Sequence, residues 1–288
     1  MKKDNYQVIT DRILELMEEH GTNWCRPWKT HGKGQPMGLP YSMSTGDAYQ
    51  GINSVLLWAA DYDDLRWGTY KAWQAKGAQV RKGEKGTQVI WWNLLEKKDE
   101  LTGKVEKIPC LKVFSVFNAQ QCDNVPQEEK PEPLPLPERN ARVDAFIAGT
   151  GADVRKDAQG RAFFVPSQDF IGMPDLSLFD DAEGYYSTLL HELTHWTGHK
   201  SRLDRDQSDG FGGTDYAKEE LIAELGSVFL CADLGVEDQP QANHAKYLNS
   251  WMQGLKDDKK LIISAASKAK KAVQFLHDLQ AEAVAKAA

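Results

Sequence analysis

Apolar residues recur every three or four positions in several parts of this chain, which is the spacing of amphipathic helices. One such segment follows the first few residues, another runs from Asp215 to Gly235, and two more occupy 243–256 and 260–284 near the end. The run Tyr185–Leu190 contains good helix formers and no proline, so it predicts a further helix.

Other segments alternate between apolar and polar residues, which is the period of a half-buried strand. Thr87–Leu95 and Ile108–Asn118 alternate in this way, and the polar segment Lys97–Lys107 separates them, so together they predict a hairpin. Residues 161–165 and 169–174 predict two more short strands. Helices and strands are partly segregated along the chain, and we therefore expect an α+β fold.

A proline-rich segment divides the chain into two parts. Residues 126–138 carry five of the 12 prolines, a composition typical of an extended spacer. Residues 1–126 have a net charge of +2 and the remainder has −9, within a total of −7. We therefore predict an N-terminal mixed α/β domain at 1–125, a linker at 126–138 and a second domain at 139–288.

The most informative motif is His191-Glu192-Leu193-Thr194-His195. Residues four apart on a helix lie one turn above each other, so both imidazoles point the same way and form half of a zinc site. Glu192 is then placed to take a proton from water and pass it to a leaving amine. The competing interpretation is that both histidines are structural and have this spacing by chance.

A third metal ligand is expected from the downstream helix, where Glu220 and Glu224 share one face. Two carboxylates on an inward stripe are costly unless they are paired or bound to metal. We assign Glu220 as the ligand, the gluzincin arrangement, and Glu224 as the residue that steadies a ligand histidine. The reverse assignment stays open, and Glu219 is expected to face solvent. Candidates for an oxyanion donor are Tyr185, Tyr186, Tyr216 and His199.

Cysteine usage and the first residues predict a cytoplasmic protein. The four cysteines lack Cys-x-x-Cys spacing, which is typical of a reduced compartment, so His and carboxylate groups must supply the metal ligands. The chain begins with charged residues rather than a signal peptide, and no apolar run is long enough to span a membrane.

Basic and aromatic residues are interleaved between Arg66 and Gly86, where six Lys/Arg accompany one acidic residue. Cations that follow phosphates and aromatic rings that stack on bases are the requirements for binding a single strand. The candidate DNA-binding residues are Lys71, Trp73, Arg81, Lys82 and Lys85. The competing interpretation is a solvated basic surface, with Trp24, Trp28, Trp58 and Trp91 in the core.

Four segments together resemble the ArdC antirestriction family, whose members are similar to the N-terminal region of TraC-type conjugative primases. These segments are Tyr49–Asn53, Gly77–Gly86, His191–His199 and Tyr216–Gly226, together with Trp73. The resemblance implies a domain that binds single-stranded DNA joined to a zincin-like metalloprotease domain. It also implies His191, His195 and Glu220 as ligands of Zn²⁺ or another divalent metal, with Glu192 catalytic.

The resemblance further implies that the protein shields incoming DNA from restriction during conjugation. The peptidase substrate would then be a protein attached to DNA. Two alternatives remain at this stage: a DNA-coating protein whose zinc is structural or vestigial, and a cytoplasmic metalloprotease that acts on a repressor-like protein.

Overall fold

The structure, a computed structural model, describes residues 4–25, 38–98, 105–127, 134–206, 214–238 and 244–287. The helices are α1 (Asn5–His20), α2 (Ile52–Trp58), α3 (Tyr70–Ala75), α4 (Leu136–Thr150), α5 (Ala182–Thr197), α6 (Thr214–Leu234), α7 (His244–Asp257) and α8 (Leu261–Ala287). The strands are β1 (Tyr41–Ser42), β2 (Arg66–Gly68), β3 (Gln79–Val80), β4 (Thr87–Lys98), β5 (Val105–Asn118), β6 (Cys122–Asp123), β7 (Asp153–Lys156), β8 (Phe163–Val165) and β9 (Phe170–Met173). The predicted α+β class is confirmed.

The N-terminal part is built around the long hairpin of β4 and β5, which lies in a sheet of order β1-β2-β5-β4. Antiparallel pairing runs from Thr87 opposite Val116 to Lys98 opposite Val105. The hairpin is therefore longer than its apolar pattern predicts. The backbone hydrogen bonds continue between the polar ends of β4 and β5. The apolar parts of the strands already fix the register, and main-chain pairing itself does not depend on apolar side chains.

The C-terminal part contains a three-stranded sheet of order β7-β9-β8, in which β7 is parallel and β8 antiparallel to β9. Ile171 and Met173 of β9 are buried in the same core cluster as Leu190 and Leu193 of α5. The sheet therefore supports the helix that carries the His-Glu-x-x-His motif. Sequence patterns do not reveal β7, because most of its side chains are polar and exposed.

The two parts share one hydrophobic core. Ile13 and Leu16 of α1 belong to the same buried cluster as Leu221 and Leu225 of α6 and Trp251 of α7. The Trp251 indole N–H also donates to the carbonyl of Ala217 at 2.7 Å. The helix that carries Glu220 therefore shares a buried core with the N-terminal part.

The proline-rich segment is only partly a linker. Helix α4 begins at Leu136, so the last three residues of the predicted 126–138 linker are helical. Pro137 lies in the first turn of this helix, where proline is tolerated because its missing N–H would have no helical partner. Residues 128–133 lie outside the described residues. Among the residues that the structure describes, no helix is both long and apolar enough to cross a membrane.

Candidate metal centre and nucleic-acid surface

Helix α5 holds the motif in a fixed orientation. It begins after Asp181, whose carboxylate accepts from the Gly184 N–H at 2.9 Å, and it ends at Thr197, with Gly198 as its C-cap. Leu190 and Leu193 are fully buried and anchor the helix to the core. His191 and His195 therefore project from one face, and their Nε2 atoms lie 3.2 Å apart.

Glu220 of α6 completes a group of three donors. Its carboxylate oxygens lie 3.6 Å from His191 Nε2 and 3.4 Å from His195 Nε2. A tetrahedral ion with bonds of about 2.0–2.2 Å needs ligand atoms about 3.3–3.6 Å apart, so the three donors fit such an ion. Among the described residues, His191, His195 and Glu220 are the group brought together with metal-ligand spacing.

These donors are strongly coupled electrostatically. Burial lowers the pKa of His195, but the carboxylates of Glu220 and Glu219 outweigh it and raise the pKa to about 10. Burial raises the pKa of Glu220, yet the two histidines hold it well below its usual range. The carboxylates of Glu219 and Glu220 therefore favour a positive charge at this position, which a bound divalent cation would supply.

Glu192 lies beside this group and is buried. Burial raises its pKa, and the nearby His191 and His195 oppose that shift. The backbone N–H of Phe164 in β8 donates to its carboxylate. Glu192 is thus held between the histidines and an edge strand.

The environment predicted for another glutamate of α6 is wrong. Glu219 does not face solvent, since it is 5% exposed and its carboxylate lies 3.4 Å from His195 Nδ1. The direction in which α6 crosses α5 places Glu219 against His195. Glu224 is buried, and its Oε1 accepts from the Cys25 thiol at 3.6 Å. Its role in steadying a ligand histidine stays a prediction.

The four candidate oxyanion donors occupy different environments. The Tyr216 hydroxyl hydrogen-bonds to Glu220 and Tyr247. The Tyr186 hydroxyl donates to Asp144 at 2.9 Å, and His199 Nδ1 contacts the Ser201 hydroxyl at 2.7 Å. The Tyr185 ring packs edge-on against Phe179 and Tyr186. Of the four, Tyr216 is the one that directly contacts a candidate ligand.

The candidate DNA-binding residues divide into exposed and structural groups. Lys71, Lys82 and Lys85 are exposed. Arg81 is partly exposed, but its guanidinium donates to Glu84 at 2.9 Å and to the carbonyl of Gln120 at 2.6 Å, so it braces the loop. Trp73 is 1% exposed and its indole N–H donates to the Phe117 carbonyl at 2.9 Å, so the expectation that it contacts DNA is wrong.

Exposed tryptophans are found instead on the hairpin. Trp91 is 39% exposed and Trp92 is 49% exposed, on opposite faces of β4 as neighbours in a strand must be. Lys112 lies opposite Trp91, with its Nζ 5.3 Å from the ring centroid. The core position considered for Trp91 is therefore wrong, whereas Trp24 and Trp58 are buried. Trp28 lies outside the described residues.

Comparison with known proteins matches both parts of this architecture. The N-terminal domain of anti-restriction factor ArdC matches residues 3–117, and a zincin-like metallopeptidase domain matches residues 141–268. The metal-free crystal structure of the antirestriction protein ArdC from plasmid R388 is 43% identical, with a TM-score of 0.82 over 97% of this chain and 99% of that one. The chain belongs to the ArdC antirestriction family.

Further relatives extend the comparison. The Mn(II)-bound structure of the same R388 ArdC protein is 42% identical, with a TM-score of 0.79 over 97% of this chain and 99% of that chain. The uncharacterized protein y4eC of Sinorhizobium fredii is 38% identical over 97% of this chain and 94% of its own length. A DNA primase TraC of Escherichia coli is 40% identical over 96% of this chain, which spans only 27% of that primase.

Proposed function

We propose that this ArdC family member is a cytoplasmic antirestriction protein that binds single-stranded DNA and cleaves peptide bonds in proteins attached to DNA. The observation that carries the proposal is the meeting of His191, His195 and Glu220 beside the buried Glu192. Two histidines, a glutamate and an adjacent carboxylate that does not bind the metal form the donor set and base of zinc peptidases.

His191, His195 and Glu220 would hold the metal. We assign Zn²⁺ first, because two imidazoles and one carboxylate suit it, although the Mn(II)-bound R388 relative supports other divalent ions as well. A divalent cation in this position supplies Lewis acidity, polarising the scissile carbonyl and acidifying water.

Glu192 would accept a proton from the attacking water and return it to the leaving amine. Burial supports this role, since a raised pKa brings a carboxylate closer to the range in which a general base is most effective at neutral pH. The Phe164 N–H fixes the carboxylate by hydrogen bonding. The same contact brings β8, which lies at one end of the described sheet, to the site, where an extended peptide would add alongside the strand.

Lys71, Lys82, Lys85 and the Trp91–Lys112 pair would form the single-strand-binding surface. Lysines supply attraction to phosphates, and an exposed indole supplies a face on which a base stacks. The TraC relative, a DNA primase by name, supports a role on DNA. In the cell, binding to incoming single strands during conjugation would place the peptidase beside proteins bound to that DNA.

One observation favours a second candidate function. Helix α6 carries Glu220 and also contributes Leu221 and Leu225 to the core shared with the N-terminal part. A metal on α6 could therefore stabilise a DNA-coating protein without supporting catalysis.

The experiment that separates the two candidates compares the wild-type protein with Glu192→Gln. Protein cleavage is measured on a DNA-bound substrate with Zn²⁺ or Mn²⁺, and plasmid transfer into a restricting host is measured in parallel. We expect Glu192→Gln to abolish cleavage and transfer protection while retaining metal and DNA affinity. Glu18→Gln, the same change at an exposed position of α1, is the matched control.

If Glu192→Gln protects plasmid transfer into the restricting host as fully as the wild-type protein does, the DNA-coating function is supported instead. Absence of salt-dependent single-strand binding by the wild-type protein would contradict both candidates and favour a metalloprotease that acts on a regulatory protein.

A further inference from the structure

Two consecutive glutamates of α6 contact the same imidazole from opposite sides. Glu220 Oε1 lies 3.4 Å from His195 Nε2, and Glu219 Oε1 lies 3.4 Å from His195 Nδ1. Consecutive helical residues project about 100° apart, so adjacent carboxylates can straddle a ring that inserts between them. Only one of the two nitrogens faces the three-donor group.

Glu219 is itself held by a buried arginine. The Arg205 side chain is 5% exposed, and it contacts Glu219 with Nη2 at 2.7 Å from Oε1 and Nε at 3.0 Å from Oε2. The Glu219 carboxylate therefore accepts from Arg205 through both of its oxygens, and Oε1 also lies beside His195 Nδ1.

Arg205 also fastens the end of α5. Its Nη2 donates to the carbonyl of Thr194 at 2.7 Å, and its Nη1 donates to the hydroxyl of Thr197 at 2.8 Å. Its backbone N–H donates to the Gly198 carbonyl at 2.9 Å, which fixes the loop that follows α5. One guanidinium thus joins the loop, the helix carrying both histidines and the helix carrying both glutamates.

We propose that Glu219 and Arg205 are a positioning pair that prepares His195 to bind metal through Nε2. The inference rests on the proposed metal centre and assigns neither residue as a ligand. Glu219 accepts the Nδ1 proton, which leaves the lone pair on Nε2, facing Glu220 and His191. Arg205 contacts both carboxylate oxygens of Glu219 and so fixes the carboxylate in its orientation toward the ring, as the partner of a ligand histidine requires.

The test measures Zn²⁺ affinity of metal-stripped full-length protein by competition with a chromophoric chelator. Glu219→Gln keeps the shape of the side chain and removes its charge, and we expect at least tenfold weaker binding. The double variant Glu219→Met/Arg205→Met removes the whole ion pair without leaving a buried charge unpaired, and we expect a loss of about 10- to 100-fold. The absorption spectrum of bound Co²⁺ reports on ligand geometry and should change in both variants.

Arg202→Gln is the matched control. Arg202 lies in the same loop, forms a bidentate pair with Asp169 and donates to the Trp196 carbonyl at 2.6 Å, but it contacts neither Glu219 nor Glu220. Its loss should lower the melting temperature of the metal-free protein and change Zn²⁺ affinity by less than twofold.

Zn²⁺ affinity of Glu219→Gln within twofold of the wild-type value would overturn the proposal while leaving the metal centre intact. That variant alone decides the question should the double variant fail to fold. Failure of the wild-type protein to bind Zn²⁺, Mn²⁺ or Co²⁺ would overturn the metal centre itself, and the positioning role with it.

Discussion

Gly226 of α6 lies directly against Thr194 of α5: a Cβ atom at position 226 would be 2.5 Å from Thr194 Cγ2 and 2.8 Å from its hydroxyl oxygen. Thr194 immediately precedes His195, and its hydroxyl donates to the Leu190 carbonyl at 2.9 Å. The absence of a side chain at 226 therefore lets the two helices approach closely enough for Glu220 to reach both histidines.

Gly226→Ala should separate the helices and weaken the metal centre. Ordinarily alanine stabilises a helix relative to glycine by about 1 kcal/mol, but overpacking at a close contact costs about 1–3 kcal/mol. We expect a net loss in the free energy of unfolding, measured by urea denaturation, and weaker Zn²⁺ binding. The control is Gly254→Ala in α7, where the new Cβ would meet only a terminal carbon of Leu261 at 3.0 Å. If Gly226→Ala and Gly254→Ala have the same free energy of unfolding, the two helices do not need a glycine at position 226.

Adding metal should raise the melting temperature. The three candidate ligands converge only in the folded state, so a bound cation stabilises that state by mass action. At a free metal concentration one hundred times Kd the gain is about 2.7 kcal/mol. Thermal unfolding with Zn²⁺ or Mn²⁺, and again after excess chelator, measures the shift.

His191→Ala provides the control for metal removal because it deletes one donor. We expect the metal-dependent shift to disappear in this variant. A shift of unchanged size would place the stabilising metal elsewhere in the protein.

Replacing Lys82 and Lys85 together by alanine should weaken single-strand binding and its dependence on salt. Each lost phosphate contact reduces the slope of log K against log salt by about 0.7, so two contacts account for about 1.4. Fluorescence anisotropy with a labelled oligonucleotide across a salt series measures this slope. Lys268 and Lys271, exposed on α8, provide a double alanine control with the same change in net charge. Identical slopes for the two double variants would remove the Lys82–Lys85 loop from the binding surface.

Local sequence patterns predicted the elements of the metal centre but not its complete environment. The spacing of His191 and His195 follows from one helix, and the face of Glu220 follows from the apolar stripe around it. Glu219 could not be assigned in this way, because its contact with His195 depends on the crossing of α5 and α6 and on Arg205 from a separate loop. The shared core of α1 and α6 was equally inaccessible, since it joins residues some two hundred positions apart.

The tryptophans show the same limit for the N-terminal part. Trp73 and Trp91 both lie near lysines in the sequence, and only the packing of α3 and the hairpin distinguishes them. Trp73 is buried in a small cluster with Ala78, Val80 and Cys122. Trp91 lies farther along β4 than the fully buried Val89, in a part of the strand where the side chains are exposed.

This difference gives opposite predictions for the two rings. Trp91→Ala should leave the free energy of unfolding nearly unchanged and weaken single-strand binding by about 1–3 kcal/mol, the contribution of one stacked base. Trp73→Ala should lower the free energy of unfolding by about 3–5 kcal/mol, because it leaves a cavity in the core. Urea denaturation and fluorescence anisotropy at fixed salt measure the two effects on each variant.

Phe114→Ala, which truncates an exposed ring on the neighbouring strand, tests whether aromatic stacking extends across the hairpin. Wild-type DNA affinity in Trp91→Ala would contradict the stacking role and leave the exposed lysines as the whole of the DNA-binding surface.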